Sequence, residues 1–270
     1  LDSADIRKNI VSIAKMIGYT PNSPRASKAI LSVKVNNVPT TTTSLTMSKG
    51  TVFTTSVDGQ TYQFVTNQDY SIQPSAGVYQ FNNVDVFEGT LVTFKYTVDT
   101  NDVDQKFVIP SINADTETLK VSIQTSASDT TTEVYSLVNS YSGLNDTTKA
   151  YFLQENGDGR FEVYFGDGVL GKKPVDGNII ILEYVVTNKT EANGASTFVL
   201  SGDIGGFSNT TITTTSNAAN GSESQSKESI RFNAPLQYTA QDRAVTSKDY
   251  ETIVKSVYAN AQSVSAWGGE

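Results

Sequence analysis

Two residue types are missing from this 270-residue chain: cysteine and histidine. Without cysteine there is no disulfide framework, thiolate nucleophile, Cys-ligated zinc or iron–sulfur site. Without histidine there is no Ser-His-Asp triad, no imidazole general base and no His-ligated metal. The enzymatic options that survive are carboxylate pairs, as in glycoside hydrolysis, or Lys and Tyr chemistry. Charge is also scarce, at 18% of residues with a net value of −8. An acidic chain repels phosphate backbones and anionic lipid, so neither nucleic acid nor a membrane surface is an expected partner. The most apolar run, residues 179–186, is too short to span a bilayer and contains Glu183. No signal-peptide pattern opens the chain.

What is abundant is threonine, with 34 copies, alongside 13 Tyr and 12 Phe. Stiff β-branched and aromatic side chains fit a pleated surface, so the composition favours strands. The fold expected is mainly β, α+β overall: an N-terminal helix, two β-sandwich-like regions and the start of a C-terminal α+β domain. By residue this divides into a helical opening segment (1–28), a first β domain (29–100), a second β domain (101–240) with a long Ser/Thr/Gly-rich arm near 201–229, and the beginning of a truncated α+β domain (241–270).

Local signals place the elements. Residues 3–18 have helical spacing at Ile6, Ile10, Ile13, Ala14 and Ile17, with Ser3 as N-cap, Asp5 in the first turn and Gly18 just past the end. Such a helix either serves another chain or docks on its own domain, and docking is the simpler expectation. Residues 30–38 read as a strand. Residues 51–66 read as a hairpin about Asp58-Gly59, a pair suited to a type I′ turn. Residues 78–86 and 91–98 read as a second pair about Glu88-Gly89. The acidic run 97–105 reads as a boundary. Further strands are expected at 119–125, near Val134 and Tyr151, and at 161–165, 178–187 and 196–200. The arm has room for one edge strand at 210–215. Thr246 or Ser247 caps a last helix, and 261–267 alternates like a strand. A closing helix and strand need partners to bury their faces, so the chain is expected to be a piece of a longer polypeptide.

The densest motif is residues 156–178, NGDGRFEVYFGDGVLGKKPVDGN, which holds three of the four Asp-Gly pairs. Asp and Asn alternating with Gly resemble a calcium loop, but the acidic residue that an EF-hand requires at its end is absent. Tight turns are the simpler reading. Glu155, Asp158, Glu162 and Asp167 are close in sequence without forming an evident catalytic pair. Lys172 and Lys173 are too few for nucleic acid, and Trp267 reads as packing. No catalytic, cofactor-binding or metal-ligating residue is assigned, and no cofactor is expected.

Two segments carry a resemblance. FGDGVLGKKPVDGNIIILEYVV resembles the signature of the Baseplate J-like family, and ESIRFNAPLQYTAQDRAVTSKDYETIV is similar to that family's next segment. DIRKNIVSIAKMIGYTPNSPRAS also looks like the helical start of wedge subunits in contractile-tailed bacteriophages. One departure is TNKTEANGAS, which stands where many members are Gly-Gly-rich. The resemblance implies a structural, non-enzymatic virion protein of the tail baseplate. Such subunits form the inner ring around the hub as homodimers, contact other wedge proteins, and take part in the rearrangement that triggers sheath contraction and genome ejection. The competing readings are a β-rich cell-surface adhesin or carbohydrate-binding module, and a carboxylate-based glycosidase. No internal repeat supports the adhesin.

Overall fold

The computed structural model describes residues 6–139, 143–240, 246–258 and 263–267. Its elements in chain order are α1 (Arg7–Met16), β1 (Lys28–Val35), β2 (Leu45–Met47), β3 (Val52–Val57), β4 (Gln60–Val65), β5 (Tyr70–Ile72), β6 (Tyr79–Glu88), β7 (Thr90–Thr97), β8 (Phe107–Val108), β9 (Ala114–Gln124) and β10 (Thr132–Leu137). There follow β11 (Ala150–Glu155), β12 (Phe161–Phe165), β13 (Ile179–Val186), β14 (Val199–Ser201), β15 (Thr210–Ala219), α2 (Lys227–Ala240) and α3 (Ser247–Val257). The architecture is mainly β with an α+β complement of helices.

Two large sheets dominate. The first has the order β14-β3-β4-β6-β1-β15, and the second β7-β13-β9-β10-β11-β12-β8. Each curls into a barrel-like shape instead of stacking as a sandwich. In the first, the amide of Gly194 donates to the carbonyl of Ala218 and that of Ala218 to Ala195, which draws the approach to β14 against β15. In the second, the Tyr96 hydroxyl of β7 donates to the Val108 carbonyl of β8 at 2.6 Å, and the Tyr96 and Phe107 rings meet edge-on. Apolar residues fill each interior. Leu31, Val33, Phe53, Phe64 and Phe81 are among those in the first, and Val121, Phe161, Val163, Ile180 and Leu182 among those in the second.

The hairpin at Asp58-Gly59 has φ of +50° and +82° at its two turn residues, as a type I′ turn requires. The pairing expected about Glu88-Gly89 does not exist. β6 belongs to the first sheet and β7 to the second. One residue between two strands cannot reverse the chain, since the tightest hairpin needs two. Gly89 is therefore a crossing point. Its amide still donates to Gln63 of the first sheet, while Thr90 already pairs with Val186 of the second.

The segment expected as an arm, 201–229, contains the expected edge strand, which runs on past 215 as β15 (Thr210–Ala219), and its last residues enter α2. β15 runs antiparallel to β1 from Val35↔Thr210 to Lys28↔Ala219. One side of it faces solvent, and Ile212 is its only large apolar side chain turned toward the core. The acidic run at 97–105 is a loop of the second barrel. Gln105 closes it by donating to the Thr97 carbonyl and accepting from the Asp99 amide.

Helix α1 begins at Arg7 with Ile6 at its N-cap and no side-chain cap bond. Ser3 and Asp5 lie outside the described residues. The buried stripe is Ile10, Val11 and Ala14, packed on Tyr19 and on Ile230 and Ala234 of α2. Ile6 and Met16 are exposed. Helix α2 was not expected. Ser226 starts it by accepting the amide of Ser229, and it continues through Pro235. Thr246 caps α3 in a reciprocal box with Asp249. Residues 263–267 alternate in exposure but pair with no strand, and 261–262 lie outside the described residues.

Candidate assembly surfaces

Of the carboxylates in and beside the motif region, Glu155 and Asp158 border one hollow of about 180 Å³ together with Arg7 and Lys189, while Glu162 and Asp167 do not line it. Glu155 ends β11 opposite Phe161, while Glu162 on β12 is opposite Gln154, one register step away and so on the other face. Glu155 accepts two hydrogen bonds from the Arg7 guanidinium, at 2.9 and 2.8 Å. Glu162 accepts from Asn156 and Tyr164. Asp158 sits in the β11–β12 turn, which Asn156 organises by accepting the amides of Asp158 and Arg160. Asp167 accepts the amides of Val169 and Leu170, which hold its carboxyl below the usual carboxylate range. Among the described residues no group of three or more Asp and Glu is placed to hold a metal ion. The glycines of the three Asp-Gly pairs in this region all have positive φ, as turns require.

Lys172 pairs with Glu133, which also binds Lys149 at 3.2 Å. Trp267, expected as packing, is exposed. No described helix is long and apolar enough to cross a membrane.

Three features remain that could serve assembly. The first is the junction between the barrels, which combines an apolar seam with buried polar bonds. Ala26, Val65 and Val185 are its buried apolar residues, with Val52, Phe87 and Leu91 packed against them. Glu88 is fully buried and accepts from the Thr187 hydroxyl at 2.7 Å and from the amide and side chain of Asn188. Asp115 accepts the Ala26 amide at 2.9 Å, and Ser27 donates to Asn193 at 2.8 Å. Burial pushes the Asp115 carboxyl up to about 6, against the opposing pull of the Ala26 amide and Arg25. Because their bonding groups are spread over distant parts of the chain, sequence patterns did not reveal these residues.

The second feature is the helical layer. Phe232 and Tyr238 of α2, Tyr250 and Val254 of α3, and Tyr258 after it are all exposed. The apolar periodicity of α3 was legible, but nothing in it said which side would stay uncovered. The third is the FGDG loop, 165–173, whose tip residues Val169 and Leu170 are also exposed.

No family model matches the chain. It is similar to baseplate wedge protein gp6 of Enterobacteria phage T4. The two are 25% identical over 285 aligned residues, an alignment that takes in 96% of this chain and 42% of the relative. The chain thus spans about two-fifths of the length of the curated relative it matches. The likeness is to a phage baseplate wedge protein and does not by itself single out one family. The Baseplate J-like resemblance rests on the motifs quoted above.

Proposed function

We propose that this chain is part of a structural subunit of a phage tail baseplate wedge, made in the host cytoplasm and sited in the virion. The observation that carries this reading is the likeness to gp6 along 96% of the chain. The order of the FGDG and RAVT motifs supports the finer placement, in the Baseplate J-like family and in the inner ring around the hub. Arg243, Ala244 and Val245 of the second motif lie outside the described residues.

In this reading the work is mechanical and no catalysis is involved. The sewn junction between the barrels supports it, since a strut that passes force needs few internal hinges. The partners are a second copy of the chain and other wedge proteins. Tyr250 and Val254, exposed one turn apart on α3, are the surface assigned to the second copy, because exposed apolar side chains grouped on one face can mark protein contacts. Participation in the rearrangement that triggers sheath contraction and genome ejection is the finest part of the proposal.

Mass spectrometry of purified tails, with and without dissociation of the baseplate, tests the reading. The protein is expected in the baseplate fraction, and its absence there sinks the proposal. Analytical ultracentrifugation tests the dimer. A Tyr250→Asp/Val254→Asp double variant is expected to shift a dimer to monomer without loss of folding.

A further inference from the structure

An asparagine side chain is most open to attack by the next main-chain nitrogen when glycine follows, because glycine has no Cβ to block the approach. The chain has three such pairs, Asn156-Gly157, Asn193-Gly194 and Asn220-Gly221. In two of them the attacking nitrogen is occupied. The Gly194 amide donates to the Ala218 carbonyl at 2.7 Å, and the Gly221 amide to Asn193 Oδ1 at 2.9 Å. Asn193 Oδ1 also accepts from the Ser27 hydroxyl, and Nδ2 donates to the Gly221 carbonyl. A nitrogen must give up its proton to attack, so an amide already donating must first lose a hydrogen bond.

The third pair is arranged differently. Gly157 lies exposed in the β11–β12 turn, and its amide meets no acceptor among the described residues. Asn156 Oδ1 accepts the amides of Asp158 at 2.9 Å and Arg160 at 3.1 Å. The first of these bonds folds the side chain back over Gly157 and so brings Cγ toward the Gly157 nitrogen. Two main-chain donors on one carbonyl oxygen also stabilise the negative charge that grows there as a nucleophile adds. Nδ2 donates to Glu162 Oε1 at 3.2 Å. Attack therefore strengthens the bonds to Oδ1 and gives up the long one at Nδ2.

We infer that Asn156 is a self-modification site, at which the chain converts its own asparagine to aspartate and isoaspartate. The Gly157 nitrogen bonds to Cγ and gives its proton to solvent. The Cγ–Nδ2 bond then breaks, and Nδ2 takes a proton from solvent and leaves as ammonia. Water opens the resulting succinimide ring at either carbonyl. One water enters and one ammonia leaves, with no other reactant. The product puts a carboxylate where Nδ2 had faced Glu162, so like charges meet in the turn beside Glu155, the residue that holds Arg7.

The other two pairs serve as internal controls. The full-length, unsubstituted protein is incubated folded at neutral pH and, in parallel, unfolded in guanidinium chloride. Peptide mapping by mass spectrometry follows the replacement of amide by carboxyl at each pair, and chromatography separates the aspartate and isoaspartate peptides of equal mass. In the folded protein Asn156 is expected to convert at least ten times faster than Asn193 or Asn220, and at least as fast as it does unfolded. In the unfolded chain the three are expected to convert at similar rates, since each has the same glycine neighbour. Conversion of Asn193 or Asn220 ahead of Asn156 in the folded protein overturns the assignment. So does an Asn156 that reacts more slowly folded than unfolded, because the turn would then protect the side chain instead of activating it.

Discussion

Asn188 donates to Glu88 twice, from its main-chain amide and from its side chain, each at 2.8 Å. Both residues lie where the chain passes between the barrels, so one buried carboxylate ties the outward crossing at 88–90 to the return at 187–189. Glu88→Gln replaces one accepting oxygen with a donor that faces donors. The expected loss is about 2–4 kcal/mol, because buried groups are left unsatisfied. Thr187→Val removes one neutral donor to Glu88 and the acceptor of the Lys189 amide, and is expected to cost about 1–2 kcal/mol. Urea denaturation of the two variants checks the order.

Gly89 is the second constraint at the crossing. A Cβ there would sit 2.0 Å from the Val186 carbonyl oxygen, at a φ of +118°. Gly59 has a φ of +82° but open space around it. Gly59→Ala therefore costs only backbone strain, about 1 kcal/mol. Gly89→Ala adds a clash with main chain that cannot move without separating two strands, so about 3 kcal/mol or more is expected. Similar Tm values for the two variants would contradict the clash.

These two residues mark where sequence reading stops. The Asp58-Gly59 turn and the cap of α3, expected at Thr246 or Ser247, were legible because their chemistry is local. So were the turns at the Asp-Gly pairs. Which sheet a strand joins was not legible, since alternation has the same period in both barrels and the partner is distant in the chain. The Glu88-Gly89 pair looked like a turn although it is a crossing. Helix α2 escaped notice because its buried stripe is only Ile230 and Ala234 and a proline interrupts it. The edge strand expected at 210–215 exists as β15, and only its extension to Ala219 escaped, because Ser216, Asn217 and the two alanines suit a loop as well as an exposed strand. The FGDG motif could be read as a turn, while the exposure of Val169 and Leu170 needed the packed structure.

Asp115 gives the junction a pH signature. Its carboxyl is raised from 3.8 to about 6 by burial, so between those values the folded protein holds a proton that the unfolded chain has released. Stability from this group is full below about pH 4, falls as pH rises and is lost by about pH 6. The total is about 1–3 kcal/mol. Asp115→Asn cannot titrate. The difference in unfolding free energy between Asp115→Asn and the unsubstituted protein is expected to move in favour of Asn from pH 4 to pH 6 and then level off. A difference independent of pH would remove Asp115 as its source.

Helix α1 is held to the second barrel chiefly by polar contacts, which makes its attachment separable from folding of the barrels. Arg7 binds Glu155 through two nitrogens, and the Glu155 side chain is only 1% exposed while that of Arg7 is 33% exposed. Lys15 adds a cationic contact 5.4 Å from the Tyr164 ring centre, and Thr20 donates to the Leu153 carbonyl. Arg7→Ala strands a buried carboxylate. Because Arg7 is partly solvated, the expected cost is about 2 kcal/mol, below the range for a fully buried pair. Arg7→Ala/Glu155→Gln removes the stranded charge and is expected to recover about half of that loss. Hydrogen exchange separates local from global effects. In Arg7→Ala the amides of residues 10–16 should exchange at least tenfold faster while those of β13 keep their protection. Equal acceleration in both would mean that α1 is integral to the barrel and not docked upon it.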